Sequence, residues 1–331
     1  MPMLPSPRGE VSAFLLEHLS RPIHTLPAGP RPADDEDLHL ALYLCYELHY
    51  RGLPEVEADW EWEPSVLALR RELERTFEQE LRERVPRADA TVAPGDMDLA
   101  LREIEDADDG PALSMHLERD GTLEQFREFA VHRSAYQLKE ADPHSWALPR
   151  LSGGPKAALV EIQADEYGGG RAERIHAALF ARAMAALGLD DRYGAYVDVI
   201  PAVTLRTVNL MSLFGLHRRW RGAIVGHLAA FEMTSSVPNR RYANALRRLG
   251  FGPRVTDFFD EHVEADAVHE NLAAVDLAGG LARLEPTLAG DILWGAGALG
   301  EVERRWAQHL LDAWEAGRSS LLAQQMPELA A

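Results

Sequence analysis

At 331 residues and 46% hydrophobic content, the chain is long enough for one large domain or two modest ones and can bury a packed core without covalent staples. Its formal net charge of −19 excludes the basic footprint of a protein that grips phosphate backbones, so no nucleic-acid partner is expected. A single cysteine, Cys45 in LALYLCY, excludes a disulfide framework and reads as a buried thiol. No window reaches the ~18 apolar residues of a membrane span, and the Pro-rich start lacks a targeting pattern. A soluble, cytoplasmic protein with no membrane partner is therefore expected.

In chain order, a short apolar helix, VSAFLLEHL, is followed by Pro-rich loop. From Asp34 the run DDEDLHLALYLCYELHY has an acidic first turn and then apolar residues at helical spacing. Its Glu36 and His39 form an E-x-x-H, which at a helix start reads as capping and surface. An acidic loop with Trp60 and Trp62 leads into SVLALRRELERTFEQELRERV, whose Glu/Arg pairs mark an exposed helix. A short helix over Asp96–Asp106 and the linker DADDGP close this part.

A new composition starts near Thr122. LEQFREFAVHRSAYQLKE, Leu123 to Glu140, reads as a helix that must stop before Asp142-Pro143. That places Glu140 in its last turn, where an acid opposes the helix dipole unless a cation stands nearby. The next helix, Gly154 to Tyr167, is interrupted by Gly168-Gly169-Gly170, a run poor enough in helix propensity to force an unwound turn, and resumes at Arg171. Downstream, Glu173 and His176 are spaced i,i+3, the arrangement by which carboxylate-bridged di-iron bundles deliver an acid and an imidazole from one helix. Glu166 lies ten residues before His176, about 15 Å away on an unbroken helix. An unwound glycine turn would let it swing in; otherwise it is a surface acid like Glu161 and Asp165.

IPAVTLRTVNLMSLFGLHRRW and Gly222–Met233 read as apolar helices. Glu232 sits among Leu228, Ala229, Ala230, Phe231 and Met233, and a lone carboxylate there costs several kcal/mol unless it is paired, protonated or bound to metal. His227, off that face, reads as a core histidine. RRYANALRRLG forms a basic helix with a glycine stop. Thr256 to Glu270, TDFFDEHVEADAVHE, carries His262, Asp266 and His269 at i, i+4 and i+7, on one helix face. Imidazole and carboxylate without thiolate suit iron, manganese or zinc in a non-structural site. The alternative is a solvated acidic helix. Two further helices follow, the last with Trp306 and Trp314 as core. Sustained strand alternation, Walker and G-x-S-x-G patterns are absent from the sequence.

The expected architecture is all-α: an N-terminal helical region over residues 1–120 and a bundle of about seven helices over 121–331. Glu140, then Glu173 with His176, then Glu232, then His262, Asp266 and His269 fall on four separate helices. Four helices each offering a carboxylate, with imidazoles at the ends, are what two adjacent divalent ions require.

Together, KEADPHSWALPRL, EIQADEYGGGRAERIHAALF, AAFE and HVEADAVH resemble the haem-oxygenase-like di-iron oxidases, the iron-containing redox enzymes, across residues 122–325. The resemblance implies a haem-oxygenase-like fold that binds two irons and no haem and uses O2 through a peroxo-di-iron(III) species. It implies Glu140, Glu173, His176, Glu232, His262, Asp266 and His269 as ligands. Glu166 matches an additional carboxylate of the N-oxygenating members, and whether Glu166 and Glu173 both bind is open. N-oxygenation of a small amine or amino-acid-derived substrate in natural-product biosynthesis is the leading expectation, with an external electron donor and a homodimer paired through the N-terminal arm. Oxidative C–C cleavage or desaturation on the same site is the alternative chemistry. An ordinary ferritin-like di-iron protein and a non-catalytic helical interaction module are the alternative classes.

Overall fold

The computed structural model describes residues 4–85, 92–107 and 110–323, without the side chains of residues 94 and 264–268, and every regular element among them is helical. The sequence reading of an all-α fold is therefore met. No helix of the described residues is long and apolar enough to cross a membrane.

The N-terminal part holds α1 (Glu10–Leu19), α2 (Asp35–Glu47), α3 (Pro64–Arg84), α4 (Met97–Asp106) and α5 (Leu113–Arg119). Asp34 caps α2 by accepting from the Asp37 amide at 3.0 Å. From Asp37 onward α2 is buried on every side, packed on α1, α3 and α10 (Ala202–Leu216). His39 is accordingly a core residue, edge-on to Phe77, and not the surface group expected of that E-x-x-H; Glu36 pairs with Arg8. Cys45 is buried as expected, and burial pushes its thiol up to about 12.

Thr122 starts α6 (Leu123–Gln137) with a reciprocal capping box to Gln125. After it come α7 (Asp142–Ser145), α8 (Gly153–Glu166), α9 (His176–Ala186), α10, α11 (Arg221–Arg248), α12 (Pro253–Asn271), α13 (Gly279–Leu284) and α14 (Ala289–Glu315). The two helices expected over 222–233 and 240–250 are one, α11, which runs through Pro238. Proline removes one hydrogen bond from such a helix, but packing on α5, α12 and α14 holds its two halves in line. Gly226 and Gly295 let α11 and α14 touch backbone to backbone, because a Cβ at either would overlap a carbonyl oxygen of the other helix. Beyond α12 the chain widens into a π-helical turn, Leu272–Ala278, which starts three residues after His269.

Candidate metal centre

Glu140 does not lie in the last turn of α6. That helix ends at Gln137, and Glu140 sits in a turn before Ala141, whose φ of 73° is left-handed, a strain of about 1 kcal/mol for a residue with a Cβ. Two residues of α2 and its end hold the turn. Arg51 donates to the Leu138 carbonyl at 3.0 Å, and the Lys139 ammonium, buried at 1% exposure, meets the fully buried Glu47 carboxylate at 3.3 Å. Tyr193 donates to the same Glu47 oxygen at 2.6 Å, and the Tyr50 ring faces the ammonium at 4.0 Å. With its neighbour so anchored, Glu140 is itself buried.

Glu166 ends α8, where the Tyr167 hydroxyl donates to Asp142 at 2.9 Å and ties the helix end to α7. Gly168, Gly169 and Gly170 then all take positive φ (68°, 58° and 78°), a left-handed path open chiefly to glycine. The chain turns back and α9 starts at His176, bringing Glu166 Oε2 within 2.9 Å of His176 Nδ1. The same turn corrects two expectations. The helix does not resume at Arg171, so Glu173 lies in a separate 3-10 turn, Ala172–Arg174, and is exposed. Glu173 and His176 therefore do not share a helix face, and the structure brings in Glu166 instead.

On α12, His262 donates from Nδ1 to the Phe258 carbonyl at 2.7 Å, which leaves Nε2 as the lone-pair nitrogen, 3.5 Å from Glu140 Oε1. Its ring lies 4.5 Å from that of His176. His269 is buried with Nδ1 3.4 Å from Glu232 Oε2 and Nε2 3.3 Å from Asp165 Oδ2. Asp266, between them, has its side chain outside the described residues.

Two groups of potential ligands result: Glu140, Glu166, His176 and His262, and then Glu166, Glu232 and His269, the donor atoms of each lying within 4.8 Å of one another. Glu166 belongs to both. Three carboxylates at 5%, 8% and 6% exposure (Glu140, Glu166, Glu232) can stay ionised only beside positive charge. Burial works against ionisation of Glu166, yet the His176, His262 and His269 imidazoles outweigh it and hold its carboxyl low, at about 2. Burial likewise opposes protonation of His269, but Glu232, Glu166 and Asp165 raise it to about 9. Glu140 Oε2 is buried without a hydrogen-bond partner, and the buried Glu166 Oε2, His176 Nδ1 and His269 Nδ1 meet only other members of the two groups. Carboxylate and imidazole groups that converge with no partner outside the cluster fit hard divalent ions such as iron.

Four of the residues expected from the sequence thus form the first group, and Glu166 links it to Glu232 and His269. Beside them lies a cavity of about 440 Å³ whose wall includes Tyr136, Gln163 and Arg133, none of which was singled out from the sequence. Gln163 was legible there, since it stands three residues before Glu166 on α8 and so shares its face. Burial, and then Glu140, Glu166 and Glu232, raise the Tyr136 hydroxyl well above its ordinary value, so it remains a neutral phenol.

A sequence profile described as iron-containing redox enzyme matches residues 127–304, just over half of the chain. That span contains every candidate ligand named above. No curated protein matches the chain.

Proposed function

The chain belongs to the iron-containing redox enzyme family, and on that premise we propose that it is a non-haem di-iron oxygenase acting on the nitrogen of a small amine. The observation that carries the reading is the position of Glu166 in both ligand groups, as a bridging carboxylate between two ions requires. Glu140, Glu166, His176 and His262 would hold one iron. Glu166, Glu232 and His269 would hold the other, with Asp266 as a further ligand. When bound, two ferrous ions supply the electrons and open positions that O2 activation needs.

The chain's own residues prepare that chemistry. Phe129, Phe231, Tyr242 and Phe259 give the cavity beside the ligands an aromatic wall. Tyr136 presents a neutral phenol there. An amine R–NH2, with O2, two electrons and two protons, gives R–NHOH and water. The two electrons come from an external electron carrier, and a place in natural-product biosynthesis is part of the same reading. Favouring nitrogen over C–C cleavage is Glu166 itself, the carboxylate whose match in the resemblance belongs to the N-oxygenating members.

Anaerobic titration with Fe(II), followed by exposure to O2 and mass analysis of an added amine, tests the reading. About two irons per chain and a product heavier by one oxygen are expected. Iron uptake with alkene or shortened product would establish the alternative chemistry, and no iron uptake would leave only a helical interaction module.

A further inference from the structure

The cavity beside the ligands, about 440 Å³, is of small-molecule size. Two features of its wall select what enters. The first is unused hydrogen-bonding capacity. Gln163 is 3% exposed, and its Nε2 donates to the Ala141 carbonyl at 3.4 Å, which fixes the amide so that Oε1 is the remaining acceptor. That oxygen, although buried, has no partner, and neither has Oε1 of Gln137, also on the wall. Two carbonyl acceptors with nothing to accept call for a ligand rich in N–H donors.

The second feature is charge. Every arginine on the described wall is already engaged. Arg133 grips Glu303 through two hydrogen bonds, 3.0 and 2.7 Å, and lies over the Trp306 ring at 3.9 Å. Arg241 donates to Ser114 at 3.2 Å, and Arg304 pairs with Glu301. Glu105 adds a further acid. A ligand carboxylate would therefore meet no unengaged arginine and would lie in a cavity rich in acids, where desolvating it is unfavourable. Phe129, Phe231, Tyr242 and Phe259 are among the aromatic residues of the wall, which suits an apolar body with a flat ring.

From these features we infer that the substrate is an apolar primary amine without a carboxylate, an arylalkylamine in class and not an amino acid. Its nitrogen donates to Gln163 Oε1 beside the carboxylates, and its ring lies along the aromatic wall. The inference rests on the N-oxygenation reading for the fate of that nitrogen, but the recognition itself is a property of the cavity.

The probes are 2-phenylethylamine and phenylalanine, which differ by the carboxylate, titrated calorimetrically into the iron-loaded protein without O2. The amine is expected to bind at least about tenfold more tightly than the amino acid. Gln163→Leu should weaken the amine about tenfold while the iron content stays at the wild-type value. Glu303→Gln, by releasing Arg133, should tighten phenylalanine relative to the amine, a gain that misfolding cannot imitate. Phenylalanine binding as tightly as the amine, or Gln163→Leu leaving amine affinity intact, would overturn the inference. Exposure to O2 separates the two ideas: an amine that binds but yields no hydroxylamine sinks the oxygenation reading alone, and hydroxylamine from phenylalanine but not from the amine sinks this one.

Discussion

Glu166 and His176, ten residues apart in the chain, meet with carboxylate oxygen and imidazole nitrogen 2.9 Å apart across a turn of three left-handed glycines. The turn is thus part of the site. A methyl group at Gly168 would lie 2.6 Å from the Arg174 carbonyl carbon and 2.7 Å from the Ile175 nitrogen, so Gly168→Ala must push the start of α9 away. At Gly169 the same methyl meets only open space, leaving backbone strain of about 1 kcal/mol. Gly168→Ala is expected to weaken iron binding at least about tenfold, and Gly169→Ala to lower the melting temperature with iron content kept. Metal analysis beside thermal unfolding separates the two.

The same geometry ranks the two acids that the sequence left in competition. Glu166 is buried in both ligand groups, whereas Glu173 stands exposed in the turn before α9. Glu166→Ala should reduce bound iron from two per chain to one or none, and Glu173→Ala should leave it unchanged. Loss of iron from the Glu173 variant would mean that metal binding rewinds residues 171–175 into the helix expected from the sequence.

What could be read from the chain alone was whatever depends on periodicity. His262 and His269 share a face because i and i+7 do so on any helix, and the isolated Glu232 announced itself by its apolar neighbours. The aid of a resemblance assembled these pieces into one site. Glu140 and Glu173 were placed less well because each lies just outside a regular helix, where spacing no longer fixes direction. Three glycines announced a break, but the direction in which the chain would leave it depended on the packing of α8, α9 and α12. Glu47 and Lys139 were invisible for another reason: their pairing joins residues 92 positions apart, and nothing local marks either of them.

Acid sensitivity should follow from the buried pair His144 and His227, whose rings are joined by a hydrogen bond of 3.1 Å. Burial holds His144 down to about 4, and burial and then the His144 neighbour hold His227 well below its ordinary value. An unfolded chain protonates these rings near pH 6.5, so below that pH it binds protons that the folded state refuses. Stability is therefore full above about pH 6.5 and falls as the pH drops toward 4, by about 3 kcal/mol from His144 alone. Replacing both histidines with Gln should flatten the dependence of the melting temperature on pH across that window. An unchanged slope would assign the acid loss to other groups.

The ion pair of Lys139 with Glu47 makes α2 a support of the metal centre. Lys139 precedes Glu140, and the two side chains leave the turn toward different surroundings, one to Glu47 and the other to His262. Removing one partner of a buried pair strands the other charge, which costs about 3–5 kcal/mol. Lys139→Met and Glu47→Leu should each be destabilising to that degree. The double variant should recover much of the loss, because both charges are then gone from the apolar surroundings. Iron affinity should follow a different pattern if the pair also aims Glu140. The double variant, stable but without the tether on the turn beside the left-handed Ala141, should still bind iron more weakly than wild type at the group that contains Glu140. Full recovery of both stability and iron affinity in the double variant would reduce the pair to a packing element with no part in placing the ligand.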